Sequence, residues 1–292
     1  MTMLVRNLVK QTLLAVGCLA PAASALAQTA AERFAHYLSG EWNNFQQCWM
    51  ENTHTESHRV YTAHPHRHVH SVFARDTGAG LWVWRIEHYE GNRRRLLARY
   101  RMYLRESANA RLQTDFQPLY PGDSLSPRGL PSSLEWTFAN DAFSAQDPNT
   151  RSSFVLKRDT FLWLDQGLFQ HADQEPYRLL KCRFFRGWIQ YPMEHVRKDS
   201  VYFYSGLVLH DQGGAVQLRF PDETLGEYTV ELTQLVHSRR IPILKLAIYA
   251  EPPEQLHWNS RAIAYTWADP AARRIGINLR KVASGWTLIS SE

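Results

Sequence analysis

Leu96-Leu-Ala-Arg-Tyr-Arg-Met-Tyr-Leu-Arg105 is the stretch that decides the fold. Its residues change character at every second position. Arg99, Arg101, Tyr103 and Arg105 leave one face with Leu97, while Ala98, Tyr100, Met102 and Leu104 leave the other. A period of two is that of a β-strand, whose successive side chains point to opposite sides of a sheet. The mainly apolar face predicts a core. The other face, where Arg99 and Arg101 set two guanidiniums beside the Tyr103 phenol, predicts either a solvent-facing wall or, at a barrel mouth, a clamp for a carboxylate, because arginine presents a planar fork of donors.

The same period extends outward in both directions. Leu81-Trp-Val-Trp-Arg-Ile-Glu-His-Tyr89 precedes the stretch across the turn Glu90-Gly-Asn92, and Arg67–Ala74 precedes that. Downstream runs include Leu134–Phe138, Phe154–Leu164, Tyr177–Tyr191 and Val201–His210, and the series continues to Trp286–Ile289, broken by turn clusters such as Asp211-Gln-Gly-Gly214. Many short strands without intervening helices predict an all-β antiparallel barrel or sandwich. The loop from 116 to 133, with Pro118, Pro121, Pro127 and Pro131, is long enough for a flap or mouth loop. A junction near Pro192–Asp199 predicts a barrel domain over 28–193 and a C-terminal β extension or subdomain over 194–292.

One helix is expected, ahead of the strands. Thr29-Ala-Ala-Glu32 is a capping box, and Phe34, Tyr37, Leu38, Phe45, Cys48 and Trp49 come after it at three- and four-residue steps. Gly40 falls inside this pattern and is expected to kink the helix or split it in two.

Residues 1–27 carry the marks of a secretory signal: Arg6 and Lys10, a short apolar run from Leu13 to Ala25, and a small-x-small site at Ala25-Leu26-Ala27. The run is too short to cross a bilayer. A periplasmic or secreted address is expected, and lipoprotein processing at Cys18 is the weaker alternative. Cleavage would remove two basic residues and no acid from a formal charge of +5, leaving a nearly neutral chain with no support for nucleic-acid binding. The 10 Trp, 13 Tyr and 13 Phe can build an aromatic core. Cys48 and Cys182, the cysteines beyond the signal, read equally as a disulfide or as two buried thiols.

His64-Pro-His66-Arg-His68-Val-His70 places imidazoles at period two, so His66, His68 and His70 are candidate ligands for zinc or copper. Pro65 confines the start of this run to an edge or pre-strand position. An exposed polar strand face is the favoured reading, and no cofactor is required. Glu87, His88 and Asp165 are isolated acid–base candidates, and Trp84 could stack a flat ligand. Nucleophile-elbow, P-loop and dinucleotide glycine motifs do not occur.

Several of these stretches together resemble the CpcT/CpeT family of bilin chromophore lyases. They are the box Leu38-Ser-Gly-Glu-Trp-Asn-Asn-Phe-Gln-Gln47, the strand Leu81–Tyr89, Arg99-Tyr-Arg-Met-Tyr103, Leu134-Glu-Trp-Thr-Phe138 and Arg183-Phe-Phe-Arg-Gly-Trp188 with Pro192. The resemblance covers about residues 33–193. It implies a calycin- or lipocalin-like barrel holding an open-chain tetrapyrrole, and transfer of that bilin to a cysteine of an acceptor protein. On it, Arg99 and Arg101 are candidates for the bilin propionates, with Tyr103, Glu87, Trp84, Gln46 and Gln47 as further pocket candidates. The chain has Ser132-Ser133 and Arg151-Ser152 where the family often has cysteines. The alternatives are a non-catalytic periplasmic carrier of a small hydrophobic ligand and a metal-dependent enzyme using the histidine run.

Overall fold

The structure, a computed structural model, describes residues 29–53, 66–76, 81–90, 93–106, 111–119, 132–164, 175–192, 201–219, 227–237, 241–258, 260–277, 279–282 and 285–288. The expected signal segment, His64, most of the proline-rich loop and Asp165 lie outside them. The capping box forms as expected. Thr29 Oγ1 accepts from Glu32 N, Glu32 Oε2 accepts from Thr29 N, and α1 runs over Ala30–Leu38. Gly40 then ends the helical path with φ +118°, a conformation in which a side chain would be strained.

The helical pattern is split in two at Gly40 as expected, but the two helices are not contiguous. Gly40–Asn43 is a strand, β1, and a separate helix, α2 (Phe45–Asn52), begins only after it. The barrel continues with β2 (Val69–Arg75), β3 (Trp82–Glu90), β4 (Arg93–Glu106), β5 (Leu112–Pro118), β6 (Ser133–Ala139), β7 (Ala142–Gln146), β8 (Ser153–Leu156), β9 (Thr160–Leu164) and β10 (Tyr177–Lys181). Each strand pairs antiparallel with the next, and β1 closes the ring by pairing with both β2 and β10. The architecture is therefore the expected closed antiparallel barrel with a leading helix and additional C-terminal strands. The run 154–164 divides at the Lys157–Asp159 turn. Besides β1, two strands, β5 and β7, fall outside the expected runs. In β5 the inward Thr114 breaks the apolar alternation, and it is buried because it accepts from Trp136 Nε1 at 2.9 Å.

Strict alternation does hold in β4. Ala98, Tyr100 and Met102 point into the barrel and are buried. They join Trp42, Trp84, Trp136 and Trp163 with Phe34, Phe73, Phe143, Phe154 and Phe161 in one cluster. The interior is thus filled by large rings in edge and offset contacts, for example Phe34–Trp136 at 4.9 Å and Phe73–Trp84 at 5.0 Å. The indole N–H groups of Trp42 and Trp84 donate to Leu38 O at 2.8 Å and to Ser71 Oγ at 2.6 Å, so little desolvation is left uncompensated there. Phe34, Tyr37 and Leu38 carry α1 into the same cluster.

The barrel ends at Lys181. Phe184–Pro192 (β11), expected in the barrel domain, pairs instead with β12 (Val201–His210). Next come a four-stranded sheet, made of β13 (Gln212–Arg219), β14 (Glu227–His237), β15 (Ile241–Tyr249) and β16 (Ala264–Ala268), and a hairpin of β17 (Leu279–Val282) and β18 (Gly285–Leu288). One face of the sheet packs Leu218, Val230, Leu232, Leu244 and Ile248 against Leu207 and Leu209 of β12. Asp211 locks the junction. Its backbone and buried carboxylate hold Arg183, with Nε to Oδ2 at 2.6 Å and Arg183 N to Oδ1 at 2.9 Å. Cys48 and Cys182 are both buried free thiols, and burial pushes the Cys48 thiol well above its ordinary range.

Candidate functional site

The residues of the Leu38–Gln47 box act first as a clasp on the barrel seam. Asn44 Oδ1 accepts from Val69 N at 2.6 Å, and its amide donates to Arg67 O at 2.8 Å. Asn43 Oδ1 accepts from Phe45 N at 2.6 Å, at the start of α2, and lies 2.8 Å from His68 Nε2. Its amide donates to His70 Nδ1 at 3.1 Å, which leaves the other His70 nitrogen to donate to Glu41 Oε2 at 2.9 Å. Gln47 Oε1 accepts from Arg178 N at 2.9 Å and its amide donates to Pro176 O at 3.2 Å, tying α2 to the head of β10. Gln46 is buried beside it.

The histidines of the 66–70 run therefore have separate surroundings. His66 sits 2.7 Å from Glu51 Oε1 and edge-on to Tyr177. His70 belongs to the seam. His68 lies flat on Tyr89 at 3.9 Å, with the two rings 9° apart. Among the described residues no group of three or more His, Cys, Asp or Glu is placed to hold a metal ion.

The remaining sequence candidates lie on the barrel wall or inside it. Arg99 is exposed on the outer face of β4, with Arg101 and Tyr103 half-buried beside it. Tyr103 Oη donates to Gln117 Oε1 at 3.0 Å. Arg101 Nε is buried without a hydrogen-bond partner among the described residues. Glu87 pairs with Arg85 at 2.9 Å. Trp84 is a core ring.

Of these candidates His68 lines a cavity among the described residues. It belongs to a cleft of about 310 Å³ between the barrel rim and the C-terminal sheet, a size at the lower end for small-molecule sites. The rim side is Phe45 and Trp49 of α2 with His68 and Tyr89. The opposite side is His210, Gly213 and Gly214 at the β12–β13 turn, Glu231 and Thr233 of β14, and Lys245 and Tyr249 of β15. Pro253, Leu256, His257 and Trp258 complete the lining with Ser260. Phe45 and Trp258 meet at 5.1 Å, and His68 lies 5.7 Å from Trp258. Gly213, with φ +77°, lets the turn come so close that any Cβ there would collide with the Phe45 ring.

The cleft sets aromatic rings beside ionisable groups, and their surroundings tune several of them. Burial, helped by the nearby His70 and His210, holds His68 well below the ordinary imidazole range, so it is neutral at pH 7. Desolvation raises the Glu231 carboxyl against the hydrogen bond it receives from Tyr249 Oη at 3.0 Å. Burial also lowers the Lys245 ammonium, which Glu231 opposes. Such a site suits a ligand with an apolar body and a small number of polar groups. Its residues come from segments scattered between Phe45 and Ser260, so no spacing announces it.

Comparison with protein-family models, with curated proteins and with solved structures returns no match.

Proposed function

We propose that this chain is an exported small-molecule-binding protein of the chromophore-lyase-like kind, which holds a hydrophobic, acid-bearing ligand in the cleft between barrel rim and C-terminal sheet. The observation that carries the reading is the division of space. The barrel interior is occupied by its own indole and phenyl rings, whereas the rim cleft is open and walled by Phe45, Trp49, Tyr89 and Trp258. Four pyrrole rings exceed a cavity of about 310 Å³, so a bilin would enter by one end and lie along the cleft mouth. Transfer of a bilin, as the resemblance implies, would need the thiol of a second protein, because Cys48 and Cys182 are buried. Carriage without chemistry is the simpler form of the same reading.

Titration of the mature protein with biliverdin, monitored by absorbance and tryptophan fluorescence, tests it. Saturable one-to-one binding that weakens about tenfold in Trp258→Ala is expected, the loss of one well-packed aromatic contact being worth roughly 1–2 kcal/mol. Binding indifferent to Trp258→Ala but lost in Arg99→Ala with Arg101→Ala would move the ligand to the outer wall of β4 and overturn the cleft assignment. Incubation of the loaded protein with a cysteine-bearing acceptor peptide then separates carriage from transfer.

A further inference from the structure

The ligand-facing side of the C-terminal sheet has an order of its own. Strand register sets Glu231, Ala247 and Tyr265 in one row across β14, β15 and β16, and Thr233, Lys245 and Trp267 in the next. Ala247 carries only a methyl group and is buried, clustered with Tyr249 and Leu256. Lys245 is the cation in these rows. Its ammonium lies 5.6 Å from the centre of the Tyr265 ring, 5.6 Å from that of Trp267 and 6.0 Å from that of Tyr249. Ring faces steady a cation but do not take up its strong donors. Among the described residues this ammonium makes no hydrogen bond and no ion pair, so all three N–H donors remain to be used.

The two outer rings are equally unfinished. Tyr265 is 48% exposed and Trp267 is 46% exposed, and they stand edge to face at 5.4 Å. They do not line the cleft themselves, but strand register sets them on the same sheet face as Lys245, which does. An unsatisfied cation beside two half-bare rings is complementary to a flat, conjugated body ending in an anion. Glu231 stands one row away, and its carboxyl accepts from Tyr249 Oη at 3.0 Å rather than from the Lys245 ammonium.

Resting on the rim-cleft reading above, we propose that Lys245 anchors the carboxylate of the ligand while Tyr265 and Trp267 carry its planar ring system, making the ligand class planar aromatic or conjugated carboxylic acids. The acid group is then the specificity element, and the two rings supply contact that any flat molecule would share. Binding an anion at Nζ also offsets the burial that now pulls the Lys245 ammonium down. Affinity for the acid should therefore fall with rising pH earlier than an ordinary lysine would dictate.

Calorimetric titration of the full mature chain with 2-naphthoate and with 2-naphthamide, which has the same rings and no charge, tests the anchor. The acid is expected to bind about tenfold or more tightly than the amide. Lys245→Met should bring the acid down to the amide's affinity and leave the amide unmoved, which shows at once that the variant is folded. Lys245→Arg should recover part of the preference, and Trp267→Ala should weaken both probes together. Equal binding of the two probes, or an acid preference that survives Lys245→Met, overturns the anchor and leaves the cleft reading intact. Failure of both probes to bind overturns the proposed ligand class, while the biliverdin titration decides separately whether the cleft binds anything.

Discussion

The barrel and the C-terminal sheet use aromatic residues in opposite ways. Inside the barrel, Trp42, Trp84 and Trp163 are almost fully buried and lie within a continuous cluster of rings. On the face of the C-terminal sheet that carries Lys245, Tyr265 and Trp267 are half exposed. A ten-stranded barrel is wide enough to hold a guest when its inward positions are small. Here they are large, so the barrel serves as a rigid support, and on the reading proposed above recognition falls at its rim. The presence of a barrel therefore does not locate a ligand; the volume of its inward side chains does.

This contrast can be broken most forcefully in the core. Trp42→Ala should cost about 3–5 kcal/mol, since it empties the volume of a ring wedged against Phe161 and strands neighbouring groups. Urea denaturation should show that loss, whereas Trp258→Ala, at the cleft, should change stability far less while reducing ligand affinity. Equal destabilisation by the two variants would mean that the cleft wall is core. The clasp comes next. Asn43→Ala removes the partner of Phe45 N, His68 and His70 at once, and a cost of about 1–3 kcal/mol is expected in the same assay.

The smallest effect concerns pH. His68 has its folded pKa below the unfolded value, so the unfolded chain binds the extra proton between the two. The stability that neutral His68 contributes is present above pH ~6.5 and is lost as the pH falls toward the depressed folded value. Melting temperatures measured from pH 7.5 to 5 should decline, and the decline should be shallower in His68→Gln, which keeps a side-chain donor near Asn43. An identical slope in the variant would remove His68 as its source.

The barrel is legible in the sequence where alternation is long and uninterrupted. In β4 the apolar face predicted by the alternation is the face that is buried, because a strand backed by a core permits no slip of one residue without exposing every inward side chain. The seam is harder to see. Glu41-Trp-Asn43 is too short for a period-two signal and lies within apolar spacing that fits a helix equally well. Gly40 is the visible mark of a break in the helix, but only the pairing with β2 and β10 shows what the break accommodates. The Leu38–Gln47 box stands out for its chemistry, and the structure commits most of its polar groups to holding strands together. The cleft cannot be found by spacing at all. His68 stands out in the sequence as a possible metal ligand, whereas its position in the cleft depends on Tyr89, His210 and Trp258, which only the tertiary fold brings near.

Closing the barrel through β1 has a consequence for how the chain acquires its shape. Trp42 is registered against Lys181, so the first strand must wait for the tenth before the ring exists. Pairings between such distant segments slow folding, because the intervening loop has to be ordered before the contact rewards it. Strands β2 to β9 can zip up hairpin by hairpin as they are made, but the Trp42 face stays uncovered until residues beyond 177 have emerged. A nascent chain stopped short of that point would present an open sheet with two bare edges, the form most prone to join another copy of itself.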